Sequence, residues 1–231
     1  MSRDDLGEVR MIRHFDDELN ELRSKILSMG ALVEAQLQDA LRALTERDPG
    51  LAKKVIDNDR AVNAMDVDID ETCLRLLALQ QPAARDLRFI TTAMKISSEL
   101  ERMSDLAENI CERAIELSEE PQLKPYIDIP RMAKWTIRMV KVSLDAFVKD
   151  DARMARVVCA DDDFVDDLNV QIFRELLSFM IEQPATITRA IRLTFVAKYI
   201  ERIADHATNI AELVVYMVEG KIIRHVDSTS L

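Results

Sequence analysis

Two stretches constrain this chain more than anything else in it: ELERMSDLAENI, ending at Ile110, and YIERIADHATNI, ending at Ile210. Both carry apolar–Glu–Arg–apolar–small–Asp and close on Asn–Ile. Glu101, Asp105 and Asn109 therefore share their spacing with Glu201, Asp205 and Asn209. A four-residue step keeps side chains on one helix face, where like charges repel. A chain that writes the same acidic row twice must fold twice into the same helical unit, and must offset the same repulsion twice.

The surrounding pattern is helical throughout. Apolar residues at Leu19, Leu22, Ile26, Met29, Val33, Leu37, Leu41 and Leu44 recur in threes and fours, which predicts a first helix from His14 to about Thr45. RDPG stops it, and Pro49 suits the first turn of a second helix reaching Gln80, with Val55, Val62, Ile69, Leu76 and Leu77 on its apolar face. A third helix starts near Pro82 and carries Leu87, Ile90, Met94, Ser97, Leu100, Met103, Ala107, Ile110 and Ala114. EEPQLKPYIDIP then breaks the pattern. Helices over about 130–149, 151–182 and 185–219 repeat the scheme. An offset of 103 maps Asp48 to Asp151, Asp59 to Asp162 and Ile69 to Ile172, and an offset of 100 relates the third helices.

Three long helices joined by short turns fold back antiparallel. The expected fold is all-α: two tandem three-helix bundles related by an internal pseudo-twofold repeat. The first bundle occupies 1–120, a Pro-containing linker 121–130, the second bundle 131–220 and a C-terminal tail 221–231.

In an antiparallel hairpin turning at Pro82, Asp105 faces Asp59 and Glu101 faces Asn63. A turn at Gln183–Pro184 sets Asp205 against Asp162 and Glu201 against Asp166. Carboxylates converging across two helices raise one another's pKa unless a cation sits among them. The donors are hard oxygens without clustered His or Cys, which suits Mg, Mn, Ca or Fe ions and disfavours structural zinc. The competing explanation is a solvated acidic face balanced by Arg102 and Arg202. The first set has Asn63 where the second has Asp166, so the site around Asp205 is expected to hold a cation more firmly.

Other features carry less. DVDID (66–70) opens like an EF-hand loop, but the glycine and the final glutamate are replaced by Glu71 and Leu77, and the stretch lies in a helix. Asp66 and Asp70 could extend the Asp59 stripe. His206 reads as a surface or interbundle residue, and His14 and His225 are isolated. Trp135 aligns with core position Leu32, and Met139 and Met217 read as gap fillers. Neither Glu-x-x-His pairs, a Ser/His/Asp grouping nor a phosphate-cradling Gly loop occurs. Cys73, Cys111 and Cys159 are scattered and read as reduced cysteines. With net charge −11 and no basic block, nucleic-acid binding is not expected. MSRDDLGEVR lacks the apolar core of a signal peptide, and no run is long enough to insert in a membrane.

Paired three-helix repeats with LERMSD and IERIAD resemble the PhoU family of phosphate-uptake and phosphate-signalling regulators. HFDDELNELR, MGALVEAQL, DNDRAVNAMDVDIDE, QQPAARDLR, DDDFVDD and IIRHV extend the similarity over nearly the whole chain. The resemblance implies a cytoplasmic, non-enzymatic helical protein, homodimeric, with multinuclear metal clusters. Carried onto this sequence, the ligands are Asp59, Asn63, Glu101, Asp105, Asp162, Asp166, Glu201 and Asp205. It implies negative regulation of the phosphate-starvation response, with the ATPase subunit of the phosphate ABC transporter and a membrane sensor histidine kinase as partners, reached peripherally at the inner membrane. Two other readings compete. One is a carboxylate-bridged metalloenzyme of phosphatase or oxidase type, since paired metals activate water. The other is a metal-free scaffold whose acidic rows dock a basic surface.

Overall fold

A computed structural model describes residues 3–223, with side chains from Phe15 onward and that of Gln80 excepted. Its six long helices are α1 (Arg3–Glu46), α2 (Pro49–Gln80), α3 (Ala84–Ser118), α4 (Asp128–Lys149), α5 (Ala152–Glu182) and α6 (Ile187–Glu219). One 3-10 turn, Pro184–Thr186, precedes α6.

The ends follow from local chemistry. The Asp48 carboxylate accepts from the backbone N–H groups of Gly50 and Leu51, and Asp151 accepts from Arg153 and Met154. These repeat-related caps satisfy donors that a first turn otherwise leaves free. Arg47 and Asp150, one residue upstream of each cap, both take the left-handed conformation that ends a helix, at φ 57° and 50°.

The expected apolar stripes are buried. Leu22, Ile26, Met29 and Val33 on α1, Val62 and Ile69 on α2, and Ala93, Leu100, Ala107 and Ile110 on α3 are all at most 1% exposed. Each large aliphatic among them contributes about 1.5–3 kcal/mol by leaving water. The halves lie side by side, with α3 packed along α6 and α1 against α4, while α2 and α5 form the outer layer. Gly30 permits the α1–α4 approach, because a Cβ built there would sit 2.4 Å from Leu144 Cδ1.

Several expectations shift. Helix α1 begins at Arg3 rather than His14, and α4 begins at Asp128, which places Pro130 in its first turn. Leu87 is 43% exposed, on the outward side of the first turn of α3, whose neighbouring Arg88 instead reaches the Met217 carbonyl on α6. Trp135 is at the core margin, its ring 4.7 Å from Phe164 with the Arg138 guanidinium 4.7 Å above it. DVDID is helical, within α2. The cysteines are free, with Cys73 and Cys111 buried. The side chain of His14, and the chain from Arg224 on, which takes in His225 and the last three residues of IIRHV, lie outside the described residues. No helix among the described residues is long and apolar enough to cross a membrane.

Candidate metal centre

The acidic rows line two clefts, one between α2 and α3 and one between α5 and α6. In the first, Asp59, Asp105 and Glu108 each present a carboxylate oxygen within 4.8 Å of the others. Oxygens bound to one hard cation lie within roughly twice its ~2.1–2.5 Å bond length of each other, so the three can share an ion. Asp59 is only 9% exposed. Its Oδ2 accepts from Asn63 Nδ2 at 2.8 Å, and its Oδ1 lies 2.7 Å from Ser104 Oγ. Ser104 Oγ also lies 2.8 Å from the side-chain amide of Gln36 on α1. One hydroxyl proton serves one acceptor. The consistent arrangement turns the Gln36 amide so that its nitrogen, otherwise buried without a partner, donates to Ser104, which donates to Asp59.

Crowding governs the electrostatics. Loss of hydration, then the negative charges of Asp105, Asp66 and Asp59, raise the Glu101 carboxyl above its ordinary range. Lost hydration and Asp59 raise Asp105. Lost hydration, then Asp59, Glu112 and Asp105, raise Glu108. Asp66 joins the set from α2 with one oxygen buried and unpartnered.

The second cleft gathers Asp162, Asp166, Glu201 and Asp205. Burial, then the charges of Asp205, Asp166, Asp163 and Glu201, push Asp162 up to about 7. Lost hydration and Glu201 lead the causes that raise both Asp166 and Asp205. Glu201 is 9% exposed. Its Oε1 accepts from Lys198 Nζ at 2.5 Å, while its Oε2 is buried without a partner. The extra carboxylate of this cleft, Asp166, thus comes with a local cation that the first cleft replaces by Ser98.

Among the described residues only the first cleft brings three carboxylates within 4.8 Å of one another; in both clefts the donors are all oxygen, mutually repelling, and include buried oxygens that no protein donor reaches, a chemistry that suits a hard divalent cation. Arg102 and Arg202 are exposed and make no ion pair among the described residues, and the Arg102 charge offsets only part of the rise at Glu101. The two asparagines leave the row. Asn109 Nδ2 donates to the Asp105 backbone carbonyl at 2.7 Å, and Asn209 Nδ2 donates across the halves to Glu99 Oε2 at 3.1 Å. His206 Nδ1 contacts the same oxygen at 2.6 Å, so this histidine is an interbundle residue. Sequence reasoning missed Glu108, three residues after Asp105 and one helical turn along the same face. It also missed the Ser104–Gln36 support, whose only sequence signal is a glutamine inside an apolar stripe.

Comparison with known proteins agrees with this architecture. A profile of the PhoU domain matches residues 26–114 and 129–214, one match per repeat. The chain is 41% identical over 220 residues to the phosphate-specific transport system accessory protein PhoU homolog of Pseudomonas aeruginosa, covering 95% of this chain and 91% of that one. It is 38% identical over 217 residues to the phosphate-specific transport system accessory protein PhoU of Escherichia coli K12, covering 94% and 90%. The crystal structure of PhoU from Pseudomonas aeruginosa superposes with a TM-score of 0.87 at 42% identity, over 90% of this chain and all (100%) of that one. The phosphate transport system regulatory protein PhoU from Streptococcus pneumoniae gives 0.86 at 33% identity, over 90% and 99%. Two repeats, both matched, and similarity along nearly the full length make the conclusion direct: the chain belongs to the PhoU family.

Proposed function

We propose that this protein is an accessory regulator of a phosphate-specific transport system that binds divalent cations in its two acidic clefts. The observation that carries the reading is the pairing of full-length PhoU similarity with the Asp59–Asp105–Glu108 convergence. In the first cleft Asp59, Glu101 and Asp105 hold the ion, Asn63 and Glu108 complete the set, and Ser104 fixes Asp59. In the second, Asp162, Asp166, Glu201 and Asp205 do so. When bound, a Mg, Mn or Fe cation would supply the positive charge that these carboxylates on α2 and α3, and on α5 and α6, otherwise lack.

Both clefts open on the outer layer, where a partner can meet them. The partners that fit are the ATPase subunit of the phosphate ABC transporter and a membrane sensor histidine kinase, with the protein acting from the cytoplasm as a homodimer and as a negative regulator of the phosphate-starvation response. Deletion of the gene should release phosphate repression, and affinity purification from membranes should retain the ATPase or the kinase. Repression that survives deletion would contradict the regulatory role. Phosphoester turnover by metal-loaded protein would replace it with an enzymatic one.

A further inference from the structure

In a chain of net charge −11, the outward face of α4 carries a stripe of cations. Arg131, Lys134, Arg138 and Lys141 recur at three- and four-residue steps and are all exposed. They therefore share one side of the helix over about 15 Å. Arg131 and Lys134 have no carboxylate partner among the described residues. Arg138 meets Asp161 only at 3.9 Å, and the Lys141 charge acts on Glu34 of α1. Two rings hold the guanidinium groups in place: Arg131 lies 5.2 Å from the centre of Phe164 and Arg138 4.7 Å from that of Trp135. Cations fixed in this way lose less freedom when they pair.

The repeat provides an internal control. At an offset of 103 the first half has Ser28, Ala31, Ala35 and Gln38 in place of the four cations, and Leu32 and Ala61 in place of Trp135 and Phe164. The bundle fold therefore requires neither the cations nor the rings that support them. Beside the stripe, Leu41, Pro130 and Ile137 line a groove of about 440 Å³ between α1 and α4. Lys134 stands at its edge, with Arg42, which is paired to Asp39. An apolar slot thus runs alongside unpaired positive charge.

The flanks of the stripe choose the occupant. Asp161 on α5 and Glu34 on α1 border it, and Asp145 ends it on α4 itself. A lipid surface or a nucleic-acid duplex broad enough to span these flanks sets its phosphates against those carboxylates. A helix about 10 Å across lies along the stripe between them. A second copy offers no match by twofold symmetry. It sets α4 against itself, cation on cation, or against α1, whose exposed residues between Ser24 and Gln38 are uncharged. The acidic clefts take no part in such a pair, since Asp162 lies on the α6 side of α5 while Asp161 and Phe164 lie on the α4 side. We propose that the outer face of α4 docks an acidic amphipathic helix of a partner protein, its carboxylates paired with Arg131, Lys134, Arg138 and Lys141 and an apolar side chain seated in the α1–α4 groove. This is the helix-in-groove mode of recognition, and it does not depend on the clefts holding metal.

The probe is a labelled amphipathic peptide of leucine and glutamate at helical spacing, titrated into the chelator-treated full chain by fluorescence anisotropy. Binding should weaken about tenfold in Arg131→Gln with Lys134→Gln, the scale of two surface ion pairs, and its salt dependence should flatten. Trp135→Leu, which keeps every charge but removes the ring beneath Arg138, should weaken it severalfold. Arg102→Gln with Arg202→Gln removes the same charge from two exposed arginines elsewhere and should leave binding unchanged. No binding by wild type at millimolar peptide overturns the proposal, and so does equal binding by wild type and the Arg131/Lys134 variant. An equal loss in the Arg102/Arg202 variant assigns the effect to net charge and overturns it as well. Sedimentation showing that the Arg131/Lys134 variant turns a dimer into a monomer assigns the face to a second copy. Flotation with phosphatidylglycerol vesicles that this variant abolishes assigns it to a membrane. Either result overturns the proposal.

Discussion

The Ser104 hydroxyl on α3 donates to the Asp59 carboxylate on α2 across 2.7 Å, and in the second repeat Ala204 and Asp162 occupy the same two positions. The two clefts are therefore related by the repeat but differently built. The first positions its buried carboxylate with a hydroxyl and an amide. The second leaves Asp162 to the charges around it.

Ser104→Ala should test that difference. It leaves Asp59 Oδ1 and the buried Gln36 amide without their shared partner. Such a loss costs about 1–3 kcal/mol. Chemical denaturation should show this loss, and calorimetry with Mn²⁺ should show weaker binding at the first cleft only. Unchanged stability would mean that the hydroxyl is not holding the carboxylate.

Lys198→Ala removes the ammonium that contacts Glu201 at 2.5 Å. A divalent ion then no longer displaces a cation already in place. Affinity at the second cleft should rise severalfold while the first cleft is unaffected. Equal or weaker binding in the variant would show that Lys198 does not compete for the site.

Gly30→Ala places a methyl 2.4 Å from Leu144 Cδ1 in the buried α1–α4 contact. The helix-propensity gain of about 0.5–1 kcal/mol is outweighed by overpacking of about 1–3 kcal/mol, so the variant should be less stable. Leu144→Ala should cost less in the Gly30→Ala background than alone, a coupling that a double-mutant cycle measures. Additive losses would place the two side chains out of contact.

Much of this was legible in the sequence. Helical period, proline turns and the repeat offset fix which residues face inward, and antiparallel packing sets Asp59 against Asp105 before any coordinates exist. What was not legible depends on how elements meet beyond one hairpin. Gln36 reaches the first cleft from α1, a third helix whose rotation about its axis no pairwise register determines. His206 meets Glu99 only because α6 lies along α3, and the sequence does not choose between end-to-end and side-by-side halves. Glu108 was missed for another reason: the helix drifts by a turn-fraction at each four-residue step, so the acidic row continues at i+3 rather than i+4.

The metal-free protein should lose stability as pH rises. Asp162 binds its proton up to about 7 in the folded state against an ordinary 3.8, and Glu101, Asp105, Glu108, Asp166 and Asp205 are raised in the same sense. Between those limits the native state holds more protons than the unfolded chain, so unfolding free energy falls with rising pH. It levels off above the highest folded pKa. Saturating Mn²⁺ should remove most of the decline, since the ion replaces the protons as counter-charge and stabilises by linkage. Melting curves from pH 4 to 8 with chelator and with metal check this, and identical slopes would contradict it.

The central claim, that the paired rows hold cations, is tested most directly by metal content and calorimetry on Asp105→Asn with Asp205→Asn, purified without chelator. The substitutions keep side-chain shape and relieve repulsion, so the helical circular dichroism signal should persist. The account predicts folded protein that no longer takes up Mn²⁺ or Mg²⁺; a folded double variant with the same uptake as wild type would contradict it.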